Sequence, residues 1–161
     1  MAGKKFWERF EDYMTAATFA EAGEAETARS FVRPRRTILL VLAPGGDDAR
    51  SGAYARSVAA RVGAGIEILH HPAGEKQSQF LDAFKGELKS DDIPCRTVTT
   101  TGCLKKKILE HTSRRSDIDF VVVESSEELD IQCEEETKSL KDFIAALRIP
   151  LVIVSEAQGM A

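Results

Sequence analysis

The residue pattern of this chain predicts a three-layer α/β fold, an open parallel five-stranded sheet with helices on both faces, preceded by an N-terminal helical extension. Three observations lead there. From Thr37 onward, apolar runs of strand length alternate with amphipathic segments of helix length, the signature of successive strand, crossover helix and parallel strand units. Two of the runs, Ile38-Leu39-Leu40-Val41-Leu42 and Phe120-Val121-Val122-Val123, are continuously apolar, which suits strands covered on both faces. Helix and strand patterns are separated by breakers such as Pro44, Gly63, Pro94, Gly102 and Pro150.

The elements follow in order. Phe6, Phe10, Tyr13, Ala17 and Ala20 recur at steps of three and four, with Trp7 and Met14 beside them, which makes an amphipathic helix. Gly23 interrupts it and Pro34 ends the weaker continuation, so residues 1–33 are expected to form a helical arm and residues 34–161 the α/β domain. Strand one starts at Thr37. A helix over 51–62 carries Tyr54, Val58 and Val62 on one face, and Gly63 and Gly65 close it. Ile66, Ile68 and Leu69 form strand two, ending at His70 and His71. The helix 75–89 turns Phe80, Leu81, Phe84 and Leu88 inward, and a short strand 96–100 follows. Gly102 leads into a helix over 103–114 with Leu104, Ile108 and His111 or Thr112 on one face. Strand four covers 119–124. An acidic connection follows, then a helix marked by Leu140, Phe143, Ile144 and Leu147, and a last strand over 151–154.

Composition narrows the function. A chain of 161 residues with 43% hydrophobic content can bury one core without metal or disulfide. With 22 basic against 26 acidic residues and a net charge of −4, it lacks the basic excess of a nucleic-acid clamp. No apolar run approaches the roughly 20 residues that span a bilayer, and charges from Glu8 to Asp12 break any leader-like stretch near the N-terminus. Neither nucleic-acid binding nor membrane insertion is expected. Cys95, Cys103 and Cys133 are odd in number and irregular in spacing, so no disulfide framework or zinc knuckle is expected, and the cytoplasm is the expected location.

From about Arg36 to Glu156 the chain resembles the universal stress proteins. The resemblance rests on the Thr37-Ile38-Leu39-Leu40-Val41 strand and on Gly102 before the third crossover helix. It rests equally on Ser116-Asp117-Ile118-Asp119-Phe120-Val121-Val122-Val123 and on Ile149-Pro150-Leu151-Val152-Ile153-Val154. It implies strand order 3-2-1-4-5, a homodimer paired through the last strand (Leu151, Val152, Ile153, Val154), and a crevice for ligands at the carboxyl ends of the strands. ATP-binding members of that family close the first strand with Asp and carry a G-x-x-G-x-(nine)-G-S stretch after the fourth. Here Ala43 stands at the Asp position. The stretch 124–136 has seven acids and no glycine, so backbone N–H groups cannot line up freely around a triphosphate and like charge opposes it. ATP binding is not expected, nor is any other cofactor or catalytic residue.

The remaining candidates are weighed against plainer readings. Ala43, Gly45, Gly46, His70, Gly102 and Glu124 would line the crevice of a small-molecule or nucleotide sensor, but a lone Gly pair beside Asp47 and Asp48 reads more simply as a turn. His70 and His71, being consecutive, point to opposite faces of a strand and are not expected to share a metal. Glu127, Glu128, Asp130 and Glu134 to Glu136 read as a solvated loop rather than a cation site. Cys103 sits at a helix N-terminus, a setting that favours a reactive thiolate, although no second cysteine stands at a short fixed spacing. Phe6, Trp7, Phe10 and Tyr13 offer an aromatic face to this domain, its dimer mate or another protein, and 19–29 resembles half of a tetratricopeptide-style helix pair. The sequence reading is therefore a non-enzymatic, dimeric regulatory or adaptor module, with the sensor as its rival.

Overall fold

A computed structural model describes residues 36–44, 48–134 and 138–155, all within the compact unit Arg36–Ala161. The arm with Phe6, Trp7, Phe10 and Tyr13, together with Gly45 and Gly46, lies outside the described residues. Five strands, β1 (Thr37–Leu42), β2 (Gly65–His70), β3 (Cys95–Thr99), β4 (Ile118–Val123) and β5 (Leu151–Ile153), alternate with helices α1 (Asp48–Val62), α2 (Glu75–Ser90), α3 (Leu104–Ser113) and α4 (Leu140–Leu147). All strand pairs are parallel and the order is β3-β2-β1-β4-β5, as the sequence reading has it. The central β1 pairs Leu40 with Ile68 on one side and with Val122 on the other.

Alternation along these strands divides the core in two. Ile38, Leu40, Leu42, Ile66 and Ile68 pack with Ala55 and Ala59 of α1 and Leu81, Phe84 and Leu88 of α2. Leu39, Val41, Leu69, Val121 and Val123 pack with Leu104 and Ile108 of α3 and Phe143 and Leu147 of α4. Helix α4 starts where the Ser139 hydroxyl accepts the Asp142 N–H at 3.3 Å, a standard N-cap, and it stops short of Pro150.

Helix α1 departs from the expectation. Its buried face is Ser51, Gly52, Ala55 and Ala59, while Tyr54 and Val62 are exposed. The reason is proximity: a Cβ at Gly52 would stand 3.0 Å from Phe80 Cζ and 3.2 Å from Phe84 Cε2, so the α1 face toward α2 must be small. Gly52→Val should therefore cost about 1–3 kcal/mol through overpacking. An unchanged urea midpoint would show that the two helices have room to part.

The connection after β4 also differs from a solvated loop. It forms a short 3-10 helix, Ser126–Asp130, with Leu129 and Glu128 buried, because Leu129 is needed to complete the apolar cluster on the α3/α4 side. Strand β5 is shorter than expected: Val154 lies beyond it and is buried, whereas Leu151, Val152 and Ile153 are half-buried. Among the described residues β5 pairs only with β4 and forms a sheet edge.

One charged side chain sits inside the sheet. Glu67 of β2 is 2% exposed, and Arg115 Nη1 donates to its two carboxylate oxygens at 3.1 and 3.0 Å, with His111 Nε2 against Oε2. Arg115 also grips both oxygens of Asp117 at 2.8 Å, and the Thr37 hydroxyl donates to Asp117 at 3.0 Å. The Arg115 guanidinium, aided by Thr37 and opposed by burial, holds the Asp117 carboxyl down at about 2. Asp117 immediately precedes β4, so this network ties the amino ends of β1 and β4, at the far end of the sheet from the crevice.

Candidate functional site

The carboxyl ends of β1, β2 and β4 deliver Ala43, His71 and Glu124 to one end of the sheet, with Ala43 on the α3/α4 face and Glu124 turned toward α1. Ala43 is fully buried and presents no polar group. The two histidines diverge as alternation requires: His70 Nε2 meets Gln77 Oε1 of α2 at 2.8 Å, and buried His71 Nε2 meets the Gly102 carbonyl at 3.1 Å. Gly102 adopts φ +90°, a conformation L side chains rarely take, and its N–H donates to Gln132 Oε1 at 2.9 Å.

Carboxylates close the middle of this crevice. Glu124 Oε2 accepts the Ser51 N–H at 3.1 Å, so a side chain of the protein already occupies the first turn of α1, where helix N–H groups would otherwise receive an external anion. Asp48, in that same turn, is buried. Glu128 is 4% exposed, and neither of its carboxyl oxygens has a well-formed hydrogen bond. Burial first, then the charges of Asp48 and Glu124, push its carboxyl up to about 8, with the backbone at Glu124 and Ser125 pulling the other way too weakly to offset them. Among the described residues no group of three or more His, Cys, Asp or Glu is arranged to hold a metal ion.

Beside these acids lies a cleft of about 510 Å³ whose walls include Lys105, Ser126, Asp130, Cys133, Lys138 and Leu140. Its buried cation is already engaged: Lys105 Nζ donates to the Lys138 carbonyl at 2.8 Å and pairs with Asp130 Oδ1 at 2.5 Å.

The structure corrects the cysteine reading. Cys103 and Cys133, 30 positions apart in sequence, are joined by a disulfide with their Cα atoms 4.3 Å apart. An odd count at irregular spacing hides this pair because the α3 crossover carries the chain across the sheet before the segment after β4 folds back over the start of α3. The Leu104 N–H bond to the Ile131 carbonyl at 3.1 Å marks that return. Cys95 is free and exposed at the start of β3, at the opposite end of the sheet.

Of the crevice candidates, Ala43, His70, Gly102 and Glu124 all lie at the carboxyl end. Only Glu124 presents a charged group to the first turn of α1. Sequence reading missed Glu128 and Asp48 as buried groups, and the only available signal was Leu129, an apolar residue inside an acidic run. The arrangement as a whole is an open, parallel α/β domain with a carboxyl-end crevice sealed by its own carboxylates.

Comparison with solved structures narrows that class. The chain is similar to a universal stress protein in complex with cAMP, at 16% identity over 74% of this chain and 95% of that one, with a TM-score of 0.51. Two further structures align at lower scores. One is a universal stress protein family protein from Burkholderia pseudomallei (14% identity, 75% of this chain and 96% of that one, TM-score 0.49). The other is a universal stress protein family protein from Arabidopsis thaliana with AMP bound (12% identity, 74% and 90%, TM-score 0.48). No family model and no curated protein matches the sequence. The domain has the universal stress protein fold.

Proposed function

We propose that this protein is a divergent universal stress protein that works as a non-enzymatic regulatory or adaptor module of the cytoplasm, without bound ATP. The observation that carries the reading is the crevice chemistry: Glu124 takes the Ser51 N–H, Asp48 and Glu128 are buried beside it, and Lys105 is spent on Asp130 and a carbonyl. A triphosphate there would meet the charges of Asp48 and Glu124, the same charges that raise the Glu128 carboxyl, in a poorly hydrated setting where repulsion is strongest. The half-buried edge Leu151–Ile153 supports pairing of two copies, since an apolar sheet edge calls for cover. Phe6, Trp7, Phe10 and Tyr13 would then serve a protein partner.

The second reading, a sensor of a small ligand, is favoured by the cleft beside Lys105 and Ser126, whose volume falls within the range of small-molecule sites. The cAMP and AMP named for two fold relatives suggest the probes. Thermal unfolding of the full chain with ATP, AMP and cAMP, each with and without Mg²⁺, separates the two. The adaptor reading expects no shift, whereas a ligand at ~100 times its Kd would add about 2.7 kcal/mol and would replace it with the sensor.

A further inference from the structure

The disulfide sits where two loops meet at the carboxyl end of the sheet. It joins Cys103, the N-cap residue of α3, to Cys133, in the segment that leaves the buried 3-10 helix. Both residues are half-buried rather than sealed in the core, and Cys133 lines the open cleft. Next to Cys133, Gln132 holds φ +56°, a conformation that a non-glycine residue keeps only when its surroundings impose it. Apart from the sulfur bridge, the two loops are held by Gly102 N–H to Gln132 Oε1 at 2.9 Å and Leu104 N–H to the Ile131 carbonyl at 3.1 Å. The bridge thus fastens the same segment that carries Glu128 into the crevice.

We propose that Cys103–Cys133 is a reversible thiol–disulfide pair that fastens residues 125–134 over the carboxyl end of the sheet, and that reduction by a dithiol frees them. In the reducing direction, one thiolate of the dithiol attacks the Sγ of Cys133, the cysteine that lines the cleft, and the bond to Cys103 breaks. Cys103 leaves as a thiolate favoured by the N-terminus of α3. The second thiolate of the reductant resolves the mixed disulfide, Cys133 leaves and takes up a proton, and two electrons have passed from the dithiol to the pair. In the oxidising direction a disulfide such as oxidised glutathione accepts the same two electrons and departs as two thiols. A reducing compartment keeps the segment free, and exposure to a disulfide oxidant closes it.

Cys95 serves as the internal control: it is free and exposed at the far end of the sheet, and partial burial raises its thiol pKa, with Lys85 opposing. In native full-length protein, maleimide labelling should count one thiol after treatment with oxidised glutathione and three after dithiothreitol, reversibly. Glutamyl endopeptidase should cut within 125–134 several-fold faster in the reduced state. Cys133→Ser should be cut at the reduced rate under both conditions, and Cys95→Ser should behave as the parent. The proposal is overturned if three thiols persist after oxidation, if dithiothreitol opens the bridge only in denaturant, or if oxidised and reduced wild-type protein are cut equally fast.

Discussion

Glu128→Gln is expected to stabilise the protein at neutral pH and to leave it unchanged in mild acid. The carboxyl of Glu128 titrates at about 8 in the folded state against an ordinary 4.5, from burial and then the charges of Asp48 and Glu124. A folded pKa above the unfolded one means that the folded state holds its proton longer. Its contribution is therefore fully present below about 4.5, declines as pH rises from there, and is exhausted near 8. Over the interval from 4.5 to pH 7, at ~1.4 kcal/mol per pKa unit, the loss is of order 3 kcal/mol. Gln has nearly the same shape and no proton to lose, so the variant avoids that loss. Urea unfolding at pH 5 and pH 8 reads this directly: the wild-type midpoint should fall between the two by more than that of the variant. Identical pH dependence in both proteins would mean that Glu128 is solvated in the folded chain.

Arg115→Ala is expected to cost about 3 kcal/mol, because removing one partner leaves a buried charge uncompensated. Glu67 is shut inside the sheet and keeps only His111 and a distant Arg96, whose Nε is 3.7 Å away. Replacing both partners, as in Glu67→Leu with Arg115→Met, should recover most of that loss, since the apolar cluster containing Leu39 and Leu69 flanks the site. The single variant should also change the acid limb. Asp117, held at about 2 by Arg115 and Thr37, contributes stability above its unfolded value of 3.8 that disappears as pH falls through 2. Without Arg115 that dependence moves to higher pH. Solvent reaches Asp117, so the acid effect is the smaller of the two. A loss under about 0.5 kcal/mol for Arg115→Ala, the range of an ordinary surface change, would refute the network's role.

The nucleotide expectation rests on residues legible in sequence, Ala43 in place of an acid and a glycine-free acidic stretch, yet the structure changes what those acids do. Read as a solvated loop, Glu128 and Leu129 are instead drawn inward, since Leu129 completes a core cluster and carries its neighbour with it. The same holds for α1, whose small buried face follows from Phe80 and Phe84 across the gap, a contact no period along α1 encodes.

The run of elements and the layering of the sheet are written in local residue patterns. Strand alternation and helix periodicity are local, and continuous apolar runs such as 38–42 and 120–123 have only one place to go in an open parallel sheet. Which polar groups meet emerges only on folding: Glu67 with Arg115, Glu124 with the N–H of Ser51, Cys103 with Cys133. Each of these pairs joins segments separated by 30 or more positions. Their partners are chosen by crossover geometry and by the exclusion of water, neither of which leaves a mark on local spacing.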